Sequence, residues 1–176
     1  YGGFAGTGKW RKRNGDVAMQ RDYPYLFTGE KGTPKKESAY LLAQSLLCLN
    51  VNENGFACET CDECQRLIHG NYADLIYIDG LKNSIKKSDI LTIQEHFSKT
   101  NLEKYGKKVY ILDGVENATP VAMNTLLKFL EEPEGDVLAI LICESEEQAS
   151  VRLRLFENTA ITAPNTIVIV ASVNNV

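Results

Sequence analysis

Four unbroken apolar runs recur along the chain, separated by segments in which apolar residues return every three or four positions. The runs are Tyr23–Thr28, Asp74–Asp79 around Leu75-Ile76-Tyr77-Ile78, Lys108–Asp113 around Val109-Tyr110-Ile111-Leu112, and Val137–Cys143. A run of this length without polar alternation predicts a strand covered on both faces. Between the runs, Tyr40, Ala43, Leu46 and Leu47 share one face of a helix predicted over about 35–47. Ile90, Ile93 and Phe97 mark a second helix over about 87–98. Met123, Leu126, Leu127 and Leu130 mark a third, with Thr119 as N-cap, Pro120 in the first turn and Pro133 as the stop. Strand and helix alternating in this way predict an α/β fold, a parallel sheet with helices on its faces.

The ends of the chain are less patterned. Residues 1–22 are rich in Gly, Lys and Arg without a period and read as an N-terminal arm. Beyond about residue 151 the pattern blurs, with Ile167-Val168-Ile169-Val170 as a candidate further strand. The organisation is therefore an arm, a domain over 23–150 carrying a polar insert at 48–64, and a divergent segment over 151–176.

A length of 176 residues suits one α/β domain, and 44% hydrophobic with 24% charged residues is ordinary for a globular protein. The formal net charge of −4 argues against wrapping nucleic acid with this surface alone. Contact through a local patch or a partner stays open. Lys82, Lys86 and Lys87 are candidates for phosphate contact, or simply a solvated loop and helix start. No apolar stretch approaches the roughly 20 residues that span a bilayer. Tyr1–Asn14 has no apolar core before a cleavage site, so a cytoplasmic protein is expected.

Candidate chemistry begins after the first strand. Gly29-Glu30-Lys31-Gly32-Thr33-Pro34-Lys35-Lys36 follows a strand and opens a helix, the context of a phosphate loop of the form G-x-x-x-x-G-K-[ST]. Gly29, Gly32, Thr33 and Lys35 are what remains of a nucleotide-binding loop. Pro34 replaces the second glycine and removes one backbone donor from the anion cradle. Lys36 replaces the hydroxyl residue that holds Mg²⁺, and an ammonium repels the ion. ATP binding is therefore not expected. The plainer reading of Thr33-Pro34 is a helix N-cap and first turn. Gly3–Lys9 also spells G-x-x-x-x-G-K, but no strand precedes it to present the loop. The third strand ends in Asp113-Gly114, an acid suited to Mg²⁺ followed by a residue with no base. Glu116 reads as a solvated loop carboxylate.

Cys48, Cys58, Cys61 and Cys64 offer four thiolates at C-x9-C-x2-C-x2-C spacing. This composition suits tetrahedral Zn²⁺ in a closed, structural site, with a redox C-x-x-C as the alternative. His69 is surplus to the set and reads as a solvent-facing helix residue. Cys143 lies in a strand and reads as core.

Taken in order, Tyr25-Leu26-Phe27-Thr28-Gly29, the helix end Ser45-Leu46-Leu47-Cys48, the Cys58/Cys61/Cys64 cluster and Asn124-Thr125-Leu126-Leu127-Lys128-Phe129-Leu130-Glu131-Glu132-Pro133 resemble the δ′ subunits of bacterial DNA polymerase III, within the clamp-loader branch of AAA+ proteins. The resemblance covers about residues 23–150. It implies an AAA+ (RecA-like), P-loop-type sheet with a zinc-binding insert. The lost phosphate loop and the Asp-Gly pair favour δ′ over the ATP-hydrolysing γ/τ subunits, so no intrinsic ATPase is implied. It further implies a place in the polymerase holoenzyme, a nucleotidyltransferase, with γ/τ and δ subunits as partners and DNA reached through the assembly. The family's helical lid and collar are expected to be absent from 176 residues.

Members of the family offer an arginine finger in a Ser-Arg-Cys motif, and Arg154 aligns best with it. Its neighbours here are Leu153 and Leu155. The alternative places Arg152 and Arg154 exposed on one face of an extended strand. Two other readings of the whole chain remain. One is an active ATPase of the γ/τ kind relying on Lys35. The other is a zinc-stabilised domain with no clamp-loader partner.

Overall fold

Successive side chains of a strand point to opposite faces, so a strand that is apolar throughout needs cover on both. The computed structural model describes residues 10–12, 15–16, 24–53, 55–99, 108–132, 135–145, 147–148 and 169–172, and its sheet meets this demand for three of the four runs, whereas the run at Leu75–Asp79, read as buried, is half-buried throughout because it lies at the sheet edge. Strands β3 (Tyr25–Thr28), β4 (Leu75–Asp79), β5 (Lys108–Asp113) and β6 (Val137–Cys143) are the four predicted runs. The helices are α1 (Lys35–Leu47), α2 (Asp62–Ile68), α3 (Lys87–Ser98) and α4 (Pro120–Glu131).

The faces divide cleanly. Tyr25, Phe27, Val109, Ile111, Leu138, Ile140 and Ile142 meet Leu42, Ala43, Leu46 and Leu67 of α1 and α2. Leu26, Tyr110, Leu112, Ala139 and Leu141 meet Ile90, Ile93, Phe97, Met123, Leu126 and Phe129 of α3 and α4. The second face carries an aromatic layer. Tyr110 stacks on Phe129 at 5.3 Å between ring centroids and lies 6.1 Å from Phe97. Burial pushes the Tyr110 hydroxyl far above its ordinary range, so it stays protonated.

With β1 (Trp10–Lys12), β2 (Gly15–Asp16) and β7 (Ile169–Ser172), the sheet order is β2-β1-β7-β3-β6-β5-β4. β7, β3, β6, β5 and β4 run parallel. Within the segment read as an arm, β1 and β2 pair antiparallel, and β1 continues antiparallel onto β7. The rest of residues 1–22, Tyr23, Pro133, Ile167 and Val168 lie outside the described residues. The chain leaves β3 toward β4 on one side and returns through β5 and β6. Strand β7 lies on the other side of β3. The β3/β6 boundary is thus a topological switch point, and the crevice beyond the C-terminal strand ends is where such sheets bind ligands.

Helix α4 starts as its sequence dictates. Thr119 accepts a hydrogen bond from the Ala122 N–H through its side chain, and Pro120 fills the first turn. No helix among the described residues is long and apolar enough to cross a membrane. Leu126 is 2% exposed and Val121, on the same helix, is 55% exposed. We expect Leu126→Ala to cost about 3 kcal/mol of unfolding free energy and Val121→Ala less than about 0.5 kcal/mol, read from urea midpoints.

Candidate functional site

The loop between β3 and α1 opens at the switch-point crevice. Two of its backbone donors are committed within the loop. The Thr33 N–H bonds Glu30 O at 3.1 Å, the Lys35 N–H bonds Thr33 O at 2.8 Å, and Pro34 has no N–H to offer. These are donors that a phosphate cradle turns toward its anion. The Lys35 ammonium is folded back in the same way. It donates to Gly29 O at 2.7 Å, to Glu30 O at 2.8 Å and toward Thr33 Oγ1 at 3.3 Å. Gly32 adopts φ +90, which glycine alone takes readily. The predicted cap is corrected by one residue. Pro34 itself occupies the N-cap position, and Thr33 Oγ1 donates to Glu30 O at 2.7 Å rather than capping α1. A proline ring has no side-chain acceptor, so the α1 terminus has no side-chain cap.

The side chains at the positions read from the sequence as magnesium-holding meet groups of the protein itself. Lys36 places its ammonium 4.3 Å from the centroid of the Tyr77 ring, a cation–π arrangement. The Tyr77 hydroxyl donates to Asp113 Oδ2 at 2.6 Å. Asp113 ends β5 and is buried. Burial first, then the bond to Asp113, raises the Tyr77 hydroxyl well above its ordinary range, which keeps it a donor. The lysine at the hydroxyl position and the acid at the metal position are therefore joined through one tyrosine.

Gly114 follows in a left-handed conformation, φ +67, and heads the 3-10 turn Val115–Asn117. A Cβ there would lie 3.0 Å from the Gly80 carbonyl carbon and 3.0 Å from the Leu81 nitrogen. Glycine is required by the turn as well as lacking a base. Glu116 differs from its sequence reading. It is half-buried, and one carboxylate oxygen is buried with no hydrogen-bond partner. Burial first, and the neighbouring Glu144 and Asp113 charges after it, raise its carboxyl. The 3-10 turn draws it inward, which a loop assignment does not anticipate.

The four cysteines converge. Cys48 closes α1, Cys61 caps α2 and Cys64 lies in its first turns. Their sulfur atoms, with that of Cys58, all lie within 4.8 Å of one another, and the set could hold a metal ion. Cys48 Sγ is 3.5 Å from Cys58 Sγ and 3.9 Å from Cys61 Sγ, distances that exclude a disulfide. Backbone N–H groups of Asn50 and Cys58 donate to Cys48 Sγ at 3.3 and 3.4 Å, and that of Cys61 donates to Cys58 Sγ at 3.3 Å. Such donors favour thiolate. Hydrogen bonds from Thr60 and then Cys61 bring the Cys58 thiol down to about 6, while burial pushes Cys48 and Cys64 up. His69 stands outside the set, exposed, with Nε2 3.3 Å from Gln65 Oε1 at the end of α2. Cys143 is core and contacts Ser145 O at 3.3 Å. Arg152 and Arg154 lie outside the described residues.

Residues 18–152 match the family model described as "DNA polymerase III, delta subunit". The chain belongs to this family. Among relatives of this delta-family chain, the DNA polymerase III subunit delta′ of Bacillus subtilis (strain 168) is 48% identical over 128 residues, covering 72% of this chain and 37% of that protein. The gamma/tau subunit of Mycoplasma pneumoniae is 38% identical over 122 residues, covering 69% and 17%. The tau subunit of Escherichia coli (strain K12) is 32% identical over 132 residues, covering 74% and 20%. The chain thus spans well under half the length of these relatives. The fold is shared with a DNA polymerase III gamma subunit-related protein from Thermotoga maritima, with a TM-score of 0.53 at 20% identity, over 78% of this chain and 40% of that one.

Sequence reasoning on this delta-family chain missed Tyr77. The signal was a tyrosine inside a strand read as buried, whose hydroxyl must find a partner. It read Gly114 only as a missing base, without the left-handed turn. We expect Gly114→Ala to lower unfolding free energy by about 2 kcal/mol, through the positive φ and the contact with Gly80. Chemical denaturation checks this, and an unchanged midpoint contradicts the strained-turn assignment.

Proposed function

We propose that this chain is the nucleotide-binding-like domain of a non-catalytic, δ′-type clamp-loader subunit, which assists ATP-dependent loading of a sliding clamp onto primed DNA without turning over ATP itself. One observation carries the reading. The phosphate loop and the magnesium positions are filled by the protein's own groups, Lys35 on its loop carbonyls and Lys36–Tyr77–Asp113 across the strand ends. Nucleotide would have to displace three hydrogen bonds of Lys35, recruit backbone donors already bonded, and bring Mg²⁺ beside an ammonium. In this reading the partners are γ/τ and δ subunits, DNA is met through the assembly, and the compartment is the cytoplasm. Arg154 is the arginine finger offered to the ATP site of a neighbour, where a guanidinium stabilises charge developing in phosphoryl transfer.

The metal in this reading is structural Zn²⁺. Zn–S bonds of about 2.3 Å in a tetrahedron place sulfur atoms about 3.8 Å apart. The spacings of 3.5 and 3.9 Å lie close to that figure, and the whole set falls within 4.8 Å. With four protein ligands, Cys48, Cys58, Cys61 and Cys64, no position is left for water or substrate. The ion would fix the insert between α1 and α2 and lower the cost of ionising buried Cys48 and Cys64.

Metal content and nucleotide binding on one purified sample test both halves. We expect about one zinc per chain, strongly reduced in Cys64→Ser with a lower melting temperature. We expect no saturable binding of a fluorescent ATP analogue with Mg²⁺ below about 1 mM. Micromolar, Mg²⁺-dependent binding with turnover would instead make the chain an ATPase of the γ/τ kind. In a reconstituted loader, Arg154→Ala is expected to slow the partner's DNA-stimulated ATPase while leaving zinc content unchanged. An unaltered rate removes Arg154 as the finger.

A further inference from the structure

The clustered cysteines differ in exposure and in what holds them. Cys48 and Cys64 are 3% and 0% exposed, whereas Cys58 and Cys61 are half-buried. An oxidant in solution therefore meets Cys58 or Cys61 first. Cys61 caps α2, and its carbonyl accepts the Gln65 N–H at 3.0 Å. Cys48 closes α1, where its own N–H bonds Gln44 O at 2.8 Å. Cys58 belongs to neither a helix nor a strand, so it can shift without unwinding one.

Cys58 is also seated directly on Cys48. Its N–H donates to Cys48 Sγ at 3.4 Å, and the sulfur atoms are 3.5 Å apart, against 3.9 Å from Cys48 to Cys61. A disulfide needs about 2.05 Å between sulfurs, so this pair closes with a movement of about 1.5 Å. Sequence spacing favours the C-x-x-C pairs Cys58–Cys61 and Cys61–Cys64, whereas these contacts favour a bond across the insert.

We propose that Cys58 and Cys48 are an oxidation-sensitive pair, in which hydrogen peroxide modifies Cys58 and Cys48 closes a disulfide onto it. The Cys58 thiolate attacks the O–O bond and becomes a sulfenic acid, and the hydroxide released takes a proton from solvent to leave as water. The Cys48 thiolate then attacks the Cys58 sulfur, the S–O bond breaks, and a second hydroxide leaves as water in the same way. The sulfurs lose the two electrons that the peroxide gains. The product ties the insert to the end of α1 and withdraws Cys48 and Cys58 from the metal-ligating set, so a bound ion is released. Only that release rests on the zinc reading.

The test exposes the full purified chain, with whatever metal it carries, to hydrogen peroxide. Remaining thiols are blocked with N-ethylmaleimide and the peptides mapped by mass spectrometry, while a chromophoric chelator reads zinc in solution. A Cys48–Cys58 linkage is expected as the first disulfide, with Cys61, Cys64 and the core thiol Cys143 recovered blocked. Zinc should appear in step with the loss of the Cys48 and Cys58 thiols. Cys48→Ser should leave Cys58 as a sulfenic acid captured by dimedone. Cys61→Ser, which also lacks a ligand, should still form the Cys48–Cys58 linkage. A first linkage between Cys58 and Cys61 or between Cys61 and Cys64, or no disulfide at all, overturns the pairing. A chain without zinc that forms the Cys48–Cys58 linkage supports the pairing and contradicts the metal reading.

Discussion

Everything in this fold rests on parallel strands that must be covered on both faces. The apolar residues of β3, β5 and β6 alternate between the two faces, so α1 and α2 are obliged to one side and α3 and α4 to the other. The crossovers then place the strand C-termini along one edge. The loop after β3, Asp113 at the end of β5 and Gly114 beyond it meet there as a consequence of topology, before any ligand is considered.

What occupies that edge is a set of contacts within the protein. The Lys35 ammonium meets carbonyls of its own loop. The Asp113 carboxylate meets the Tyr77 phenol. Replacing charge–ligand contacts by neutral or intraprotein hydrogen bonds leaves few buried groups unsatisfied, which is the condition a polar cluster must meet to be tolerated. Among the described residues at this edge, Glu116 is the exception, with one unpaired buried oxygen.

Much of this was legible in the residues. The bounds of α1 and α3, the start of α4 at Thr119-Pro120 and the strands β5 and β6 follow from period and cap chemistry. Strand β3 begins at Tyr25 rather than Tyr23. Helix α2 escaped notice because it has only seven residues, Asp62 to Ile68, and buries Leu67 and Cys64 beside Glu63 without a full apolar face. The pairing of β1 with β7 is a backbone interaction at a sheet edge and leaves no apolar signature in a Gly- and Lys-rich stretch. The cysteine set was readable from spacing alone. The link from Lys36 to Asp113 was not, because it depends on β4 lying beside β5 in register, Tyr77 opposite Ile111.

The tyrosine bridge between α1 and β5 has a thermodynamic corollary. A protein that binds ligand only when folded gains stability in proportion to the logarithm of ligand concentration, and so softens and stiffens as its ligand comes and goes. With the bridge in place, the geometry of these strand ends is held by covalently tethered groups whose effective concentration never changes. A domain built this way keeps the same strand-end geometry whatever solutes surround it.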